Sequence, residues 1–332
     1  MTLETTPLFL PLSENQSRQY VDAEALMRAT LQARKDTQEV RGSMIWRELR
    51  GVRYLIRTSA RGAQKTLGVE SPQTQAMHTR FMARKQTAES RLKSLTARLV
   101  EQRKLNRVYR VGRTPNIVVQ ILQQFEKDGI GDQFLTVGTH ALYAYESACG
   151  LLVGTEALAT RDIDLLFDTR KRVAFLGAMK QLDTSLLGVL KKADPTFQVR
   201  RDQLQTAVND DGFEVDLIRR DASYGDPHPL RMTDDAEDLW AVQVSSGERM
   251  LSSARFEQMV VSTSGEMAMM QTVHPTTFIQ VKRRLASSAH REPIKRGKDM
   301  LQAQIVQQLW NDYLHVRDDS RSPEPASPSH IS

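Results

Sequence analysis

The stretch TRDIDLLFD, residues 160–168, places two aspartates one residue apart in an otherwise apolar run. The run predicts a buried β-strand, and because side chains alternate between the faces of a strand, Asp162 and Asp164 point the same way. A carboxylate in an apolar setting costs several kcal/mol of folding free energy unless it is paired or bound to a metal. Two carboxylates side by side therefore indicate a divalent cation such as Mg²⁺, which prefers oxygen ligands.

A third acid lies on a second predicted strand, FEVDLIRR, residues 213–220. Asp216 is our candidate there, with Glu214 on the same face as a reserve. Three acids at one place predict a two-metal site, with the ions roughly 3.5–4 Å apart.

The segment LTVGTHALYAYE, residues 135–146, reads as a strand, a Gly138-Thr139 turn and a helix. A helix N-terminus offers unpaired N–H groups to phosphate, glycine permits close approach of the backbone, and threonine adds a hydroxyl donor. Such a turn is common by itself, but together with the three acids it indicates a phosphate-binding site.

Simpler explanations remain open for these residues. Asp162 and Asp164 could cap N–H groups at the edge of a strand. An EF-hand loop is excluded, because no glycine or bidentate glutamate follows at the required positions. We interpret His140 as a polar residue at a helix start, and Lys282 as either a phosphate ligand or a residue covering a helix surface.

The rest of the chain predicts further helices and strands. We expect an N-terminal helix, an antiparallel meander, a long amphipathic helix that packs on the meander rather than forming a coiled coil, and two C-terminal helices. A helix over 171–192 and short strands also follow from the pattern, and the segment 148–159 predicts an extra turn or strand. The expected ranges are 17–40, 43–68, 71–107, 114–129, 133–147, 160–168, 171–192, 197–201, 205–209, 213–220, 256–273, 275–290 and 293–314.

Composition bounds the class of protein. The 332 residues, 40% of them hydrophobic, are enough for a sizeable core. A single cysteine, Cys149, excludes an intramolecular disulfide and fits a reducing compartment. Neither a signal peptide nor a continuous apolar run of about 18 residues is evident, so we expect a soluble, cytoplasmic protein.

Charge is distributed unevenly along the chain. Residues 1–113 contain 22 Lys+Arg and 10 Asp+Glu, net +12, whereas the remainder contains 24 and 30, net −6. This bias favours a polyanionic partner such as RNA for the N-terminal third, with a solvated arginine-rich helix surface as the alternative.

The order strand, Gly-Thr, helix, Asp-x-Asp and a third Asp resembles the nucleotidyltransferase fold of the DNA polymerase beta superfamily. That resemblance implies that Gly138 and Thr139 hold a triphosphate, while Asp162, Asp164 and Asp216 hold two Mg²⁺ or Mn²⁺ ions. Four stretches are also similar to a bacterial family of nucleotidyltransferase-fold proteins, over roughly residues 17–310. They are GTHALYAYE, LATRDIDLLFD, YLIRTSARGAQKTLG and REPIKRGKDMLQAQ.

The C-terminal region resembles abortive-infection and toxin-type nucleotidyltransferases. That likeness implies Lys282 as a triphosphate-binding lysine and Asp299 as a supporting acid, with Arg291, Lys295 and Lys298 nearby. The sequence departs from the pattern at VKRR, residues 281–284, where a His-Lys pair is expected.

We therefore predict an α+β fold: a nucleotidyltransferase-type mixed sheet flanked by helices, with an N-terminal basic helix and small antiparallel sheet module and C-terminal helices. The expected organisation is a flexible N-terminus, a basic module for acceptor or partner binding, the nucleotidyltransferase domain and a disordered tail. Their ranges are 1–16, 17–113, 114–317 and 318–332.

The predicted function is metal-dependent transfer of a nucleoside monophosphate from a nucleoside triphosphate (NTP) to an acceptor hydroxyl, with RNA, above all a tRNA end, as the first choice of acceptor. A toxin or defence context is part of this expectation. Two alternatives stay open: a regulator that nucleotidylates protein side chains, and a degenerate nucleotide- or RNA-binding module. A protein partner is also compatible with the sequence.

Overall fold

The structure is a computed structural model and describes residues 8–60, 62–223 and 225–316. Its contacts divide the chain into two compact units. We name Arg18–Tyr109 the basic unit, and the described residues of Met1–Ser17 and Arg110–Ser332 the main unit. The predicted tail, 318–332, lies outside the described residues.

Helices in the described residues are α1 (Glu14–Glu39), α2 (Pro72–Tyr109), α3 (Asn116–Lys127), α4 (Ala141–Cys149), α5 (Thr155–Leu158), α6 (Arg172–Leu182), α7 (Leu186–Ala193), α8 (Gly247–Ser252), α9 (Pro275–Ala286) and α10 (Pro293–Leu309). Strands are β1 (Phe9–Pro11), β2 (Ser43–Leu49), β3 (Val52–Thr58), β4 (Gln64–Val69), β5 (Phe134–Val137), β6 (Leu151–Val153), β7 (Asp162–Phe167), β8 (Gln198–Val199), β9 (Thr206–Val208), β10 (Glu214–Arg219), β11 (Leu230–Arg231), β12 (Trp240–Gln243), β13 (Arg255–Val261) and β14 (Met267–Val273). The α+β fold class is confirmed.

The basic unit joins two helices to a three-stranded meander. Strands β2, β3 and β4 pair antiparallel, as their glycine-punctuated sequence predicts. Helix α2 packs on β2 and β4, where the Trp46 and His78 rings lie 5.8 Å apart. A small apolar cluster of Leu26, Ala33 and Leu95 joins α1 to α2. The expected packing of the long helix on the meander is therefore present.

A mixed sheet forms the centre of the main unit, in the order β11-β12-β10-β7-β5. Strand β7 runs parallel to β10 and antiparallel to β5. Phe134 and Phe167, on one face of this sheet, pack against Phe125 and Phe175 from α3 and α6. The opposite face carries Asp162 and Asp164, so β7 buries apolar side chains on one side and presents acids on the other.

A hairpin forms the far edge of β10. Strand β9 pairs antiparallel with the first half of β10, and β8 pairs with β9. Strand β12 then pairs with the second half of β10, in parallel. The edge of β10 is therefore shared between two short strands, one beside each half.

Several local features differ from the sequence expectations. Within the segment expected to be flexible, Phe9–Pro11 forms a strand that pairs with β6. The helix expected over 171–192 is two helices, because Asp183 adopts a left-handed conformation (φ 49°) that ends α6, and Ser185 caps α7 through a hydrogen bond to the Gly188 N–H. Strands β11 and β12 and helix α8 were not expected, because such short elements carry no readable period.

No single helix in the described ranges is both long and apolar enough to cross a membrane. One bent pair, Thr169–Leu182 with Leu186–Ala193, passes by length and composition with a bend of 63°.

Candidate active site

Three aspartates from two neighbouring strands converge on one face of the sheet. In the parallel pairing of β7 with β10, Asp164 lies opposite Asp216 and Asp162 lies opposite Glu214. One carboxylate oxygen from each of Asp162, Asp164 and Asp216 lies within 4.8 Å of the others. We call these three residues the acidic triad. Their side chains are partly buried, and an all-oxygen donor set of this kind suits a hard divalent ion such as Mg²⁺ or Mn²⁺.

Gly138 brings the backbone of the turn after β5 against the acidic triad. Val137, the last residue of β5, pairs with Asp164, and Gly138 then adopts a positive φ of 66°. A Cβ atom at this position would lie 2.0 Å from Oδ2 of Asp164. The site therefore requires glycine for two reasons, the left-handed backbone and the closeness of a triad carboxylate.

Thr139 and His140 follow in a single 3₁₀ turn that leads into α4. The Thr139 hydroxyl accepts a hydrogen bond from Nε2 of Gln302 on α10, at 3.1 Å. The predicted phosphate-binding threonine is thus also held by a C-terminal helix. The His140 ring is buried between Tyr143 and Phe213, and burial lowers its pKa to about 4, so it is neutral at pH 7.

Hydroxyl groups orient two of the three acids. Thr160 donates a hydrogen bond to Oδ1 of Asp162, and the Thr206 hydroxyl donates to Oδ1 of Asp216 at 2.5 Å. Thr206 stands directly opposite Asp216 in the β9–β10 pairing. These contacts fix the carboxylates before any ion arrives, which lowers the cost of ordering the ligands.

Burial and mutual repulsion shift the proton affinity of the triad. Burial, followed by the charges of Asp162 and Asp216, raises the pKa of Asp164 to about 7, although Lys282 and Arg291 oppose the shift. Burial also raises the pKa of Asp216, against the hydrogen bond from Thr206. Carboxyl groups that resist ionisation in the absence of a cation are those that a bound divalent ion stabilises most.

Residues of α9, α10 and the loop between them form an ion-pair network that is partly buried. Nζ of Lys282 lies 2.8 Å from Oδ1 of Asp299, and Nε of Arg291 lies 2.9 Å from Oδ2 of the same carboxylate. Lys282 and Asp299 are both buried, so Lys282 does not simply cover a helix surface. The positive charges of Lys282 and Arg291 also favour ionised Asp164 and so oppose the rise of its pKa, which means that both cations interact with the acidic triad.

Lys298 adds a further cation to this side. Its Nζ donates to the Ala159 carbonyl at 2.7 Å. The pKa of Lys298 is lowered, first by burial and then by the charge of Lys282, although the charges of Asp162, Asp299 and Asp164 oppose this shift. Lys295, by contrast, pairs with Glu292 at 3.2 Å on the surface. Of the lysines that the sequence placed nearby, Lys298 therefore belongs to the site.

Some supporting residues were missed at the level of sequence. Thr206 was readable in principle, because the DDG turn at 210–212 fixes the hairpin register that sets it opposite Asp216. Gln302 lies three residues after Asp299, on the same face of α10, which is a weaker signal. The bonds from Arg200 to Glu214 (2.7 Å) and from Thr160 to Asp162 leave no sequence pattern.

Comparison with known proteins gives one result. A family model described as "Nucleotidyltransferase" matches residues 116–322, a range that contains the acidic triad, the Gly138 turn and the C-terminal cations. Neither the search of curated proteins nor the search of solved structures found a match.

Proposed function

The chain belongs to the nucleotidyltransferase family, and on this premise we propose that it transfers a nucleoside monophosphate from an NTP to an acceptor hydroxyl with release of pyrophosphate. Membership of the DNA polymerase beta superfamily is part of the proposal. The observation that carries it is the convergence of Asp162, Asp164 and Asp216 within 4.8 Å beside the Gly138 turn.

The acidic triad would hold the divalent metal. When bound there, Mg²⁺ or Mn²⁺ supplies electrostatic stabilisation of the phosphoryl oxygens. Asp216 accepts the proton of the acceptor hydroxyl, a role that its raised pKa suits. The acceptor oxygen bonds to the α-phosphorus, and the bond from that phosphorus to the α,β-bridging oxygen breaks, which releases pyrophosphate.

Cations from the C-terminal helices would bind the triphosphate. The charge of Lys298 interacts with the carboxylates of Asp162 and Asp164, whereas the ammonium group of Lys282 is paired with buried Asp299. Gly138 and Thr139 complete this side, with backbone N–H groups at the start of the turn. In this arrangement the triphosphate would contact the cations on one side of the site, and the acidic triad that would hold the metal lies on the other side.

RNA is the acceptor that we propose, and a tRNA end is the first choice. Its support is the net charge of +12 in residues 1–113, which suits a polyanion. The long helix of the basic unit carries many of these cations on its exposed faces: Arg80, Arg84, Arg91, Lys93, Arg98, Arg103 and Lys104. A toxin or defence role would follow if the modified RNA were inactivated.

The test is an α-phosphate-labelled NTP assay. Purified protein is incubated with each labelled NTP, Mg²⁺ or Mn²⁺, and either total RNA or lysate protein. Asp164→Asn serves as the inactive variant, and Asp22→Asn, which removes an exposed carboxylate of α1, as the matched control. Label in RNA that Asp164→Asn abolishes is the expected result.

Other outcomes identify other functions. Label in protein would replace the RNA acceptor by a protein side chain. NTP binding without any transfer would indicate a degenerate nucleotide-binding module and would overturn the proposal.

A further inference from the structure

A cavity of about 570 Å³ opens at the edge of the main sheet, outside β8. We call it the edge cavity and define it by Lys191, Phe197, Arg200, Arg201, Asp238 and Trp240. Its volume lies within the range of roughly 300–1,000 Å³ that small-ligand sites occupy. None of the residues of the acidic triad lines it.

Arg200 connects the edge cavity to the acidic triad. Its Nη1 donates to Oε1 of Glu214 at 2.7 Å, and Glu214 lies two residues before Asp216 on the same face of β10. Its backbone N–H donates to the carbonyl of Thr206, whose hydroxyl holds Asp216. A residue of the cavity wall therefore contacts the strand whose aspartate we assign to the acceptor hydroxyl.

The wall of the edge cavity combines an aromatic ring with unpaired cations. Trp240 is partly exposed, and the guanidinium of Arg231 packs over its indole, 5.7 Å from the ring centroid, which holds the ring in place. Lys191 and Arg201 are exposed, and neither forms an ion pair within the part of the chain that the structure describes. An indole for stacking and cations for phosphate are the two elements that bind a nucleotide unit without base-specific contacts.

The charges of the lining favour an occupant with a single phosphate over a triphosphate. Lys191, Arg200 and Arg201 are balanced by three acids, Asp210, Glu237 and Asp238. Asp238 is buried, and its carboxylate accepts hydrogen bonds from the N–H groups of Leu186 and Leu187 and from the Thr233 hydroxyl. A lining with no net positive charge suits a phosphodiester unit better than a triphosphate.

We propose that the edge cavity binds a nucleotide at the 3′ end of a single-stranded RNA acceptor, with the base on Trp240 and a backbone phosphate at Arg201 and Lys191. This inference rests on the proposed function for its choice of RNA. It assigns acceptor binding to the main unit, in addition to the basic unit.

The first experiment maps the site directly. A short single-stranded RNA with 4-thiouridine at its 3′ end is photocrosslinked to the full chain without NTP, and the crosslinked peptides are identified by mass spectrometry. Crosslinks to the segments 195–201 or 236–240 are the expected result. Crosslinks confined to other parts of the chain would overturn the inference.

Variants then test the two elements of the wall. Trp240→Leu should weaken binding of the same RNA about tenfold, since stacking on an aromatic ring carries that much affinity, and Trp240→Phe should restore most of it. Arg201→Ala should reduce the salt slope of binding by about 0.7, the value for one phosphate contact in single-stranded RNA. Lys180→Ala, which removes an exposed cation of α6, is the matched control and should change neither quantity.

The design separates this inference from the proposed function. If folded Trp240→Leu and Arg201→Ala both bind the RNA like the parent chain, the inference fails even when label transfer to RNA is observed. If transfer to RNA is absent while the crosslinks map to the edge cavity and the variants weaken binding, the inference holds and only the proposed reaction fails. Should Trp240→Leu not fold, the exposed Arg201→Ala variant and the crosslinks decide.

Discussion

Replacing Asp164 by asparagine should stabilise the metal-free protein at neutral pH and remove its response to Mg²⁺. Asp164 lies between two other triad carboxylates, and its pKa rises from the ordinary value of 3.8 to about 7, mainly through burial. An acid whose pKa is raised by folding holds its proton more tightly in the folded state. Its contribution to stability is therefore complete at low pH and is lost as the pH rises toward 7.

The size of the effect follows from the pKa shift. Each pH unit inside the window from 3.8 to about 7 removes about 1.4 kcal/mol from the free energy of unfolding. Because water reaches part of the Asp164 side chain, we expect a total loss of about 2 kcal/mol rather than the full product of shift and slope. Asparagine keeps the shape of the side chain and carries no charge, so the variant should lack this loss.

Urea denaturation measures the effect. Unfolding is followed in EDTA at about pH 5 and about pH 8, for the parent chain, Asp164→Asn and the exposed-site control Asp22→Asn. The parent chain and Asp22→Asn should lose about 1 kcal/mol more than Asp164→Asn between the two pH values, because this range covers about two thirds of the window. Saturating Mg²⁺ should then stabilise the parent chain and Asp22→Asn by about 2–3 kcal/mol and leave the stability of Asp164→Asn unchanged.

Two results would refute this reasoning. Equal pH dependence in the parent chain and Asp164→Asn would show that the carboxyl is not a strained member of the triad. Equal stabilisation of both proteins by Mg²⁺ would show that Asp164 is not a metal ligand.

Three further substitutions test other parts of the site. Gly138→Ala should destabilise the fold by about 1–2 kcal/mol, because alanine must adopt a left-handed backbone, and it should lower the affinity for Mn²⁺ more than tenfold, because the new Cβ displaces a triad carboxylate. Calorimetric titration with Mn²⁺ measures the affinity, and an unchanged value would contradict this prediction. Thr206→Val should raise the pKa of Asp216 further and shift the acidic limb of the pH–rate profile upward, whereas a profile identical to that of the parent chain would remove the hydroxyl from the site. Lys282→Met should destabilise the fold by about 3–5 kcal/mol, since Asp299 then keeps a single cation in a buried position; thermal denaturation measures it, and a loss below about 1 kcal/mol would show that the pair is not structurally important.

Periodicity predicted the parts of the fold that carry a repeated signal. The alternation in TRDIDLLFD gave the central strand and the common face of its two aspartates, because the strand must bury Ile163 and Leu165 on the other side. The apolar strand FEVDLIRR gave Asp216 as the third acid, and the structure sets it opposite Asp164 on the neighbouring strand. Family membership then came from the match over residues 116–322.

The remaining features depend on contacts between segments far apart in the chain. Gln302 reaches Thr139 across 163 residues, and Lys282 of α9 reaches the Asp299 carboxylate of α10 because the two helices pack together. Short elements such as β1 and β12 gain their structure from a partner strand, since three or four residues hold no period of their own. The edge cavity is likewise formed by residues of α7, β8, β12 and neighbouring loops, which no local pattern brings together.

The most direct test of the central claim, that Asp162, Asp164 and Asp216 hold a divalent ion together, is Mn²⁺ binding followed by electron paramagnetic resonance. The parent chain should show saturable Mn²⁺ binding, which Asp164→Asn and Asp216→Asn should each weaken by at least tenfold while Asp22→Asn leaves it unchanged. Mn²⁺ binding that survives both triad substitutions at full affinity would contradict the claim.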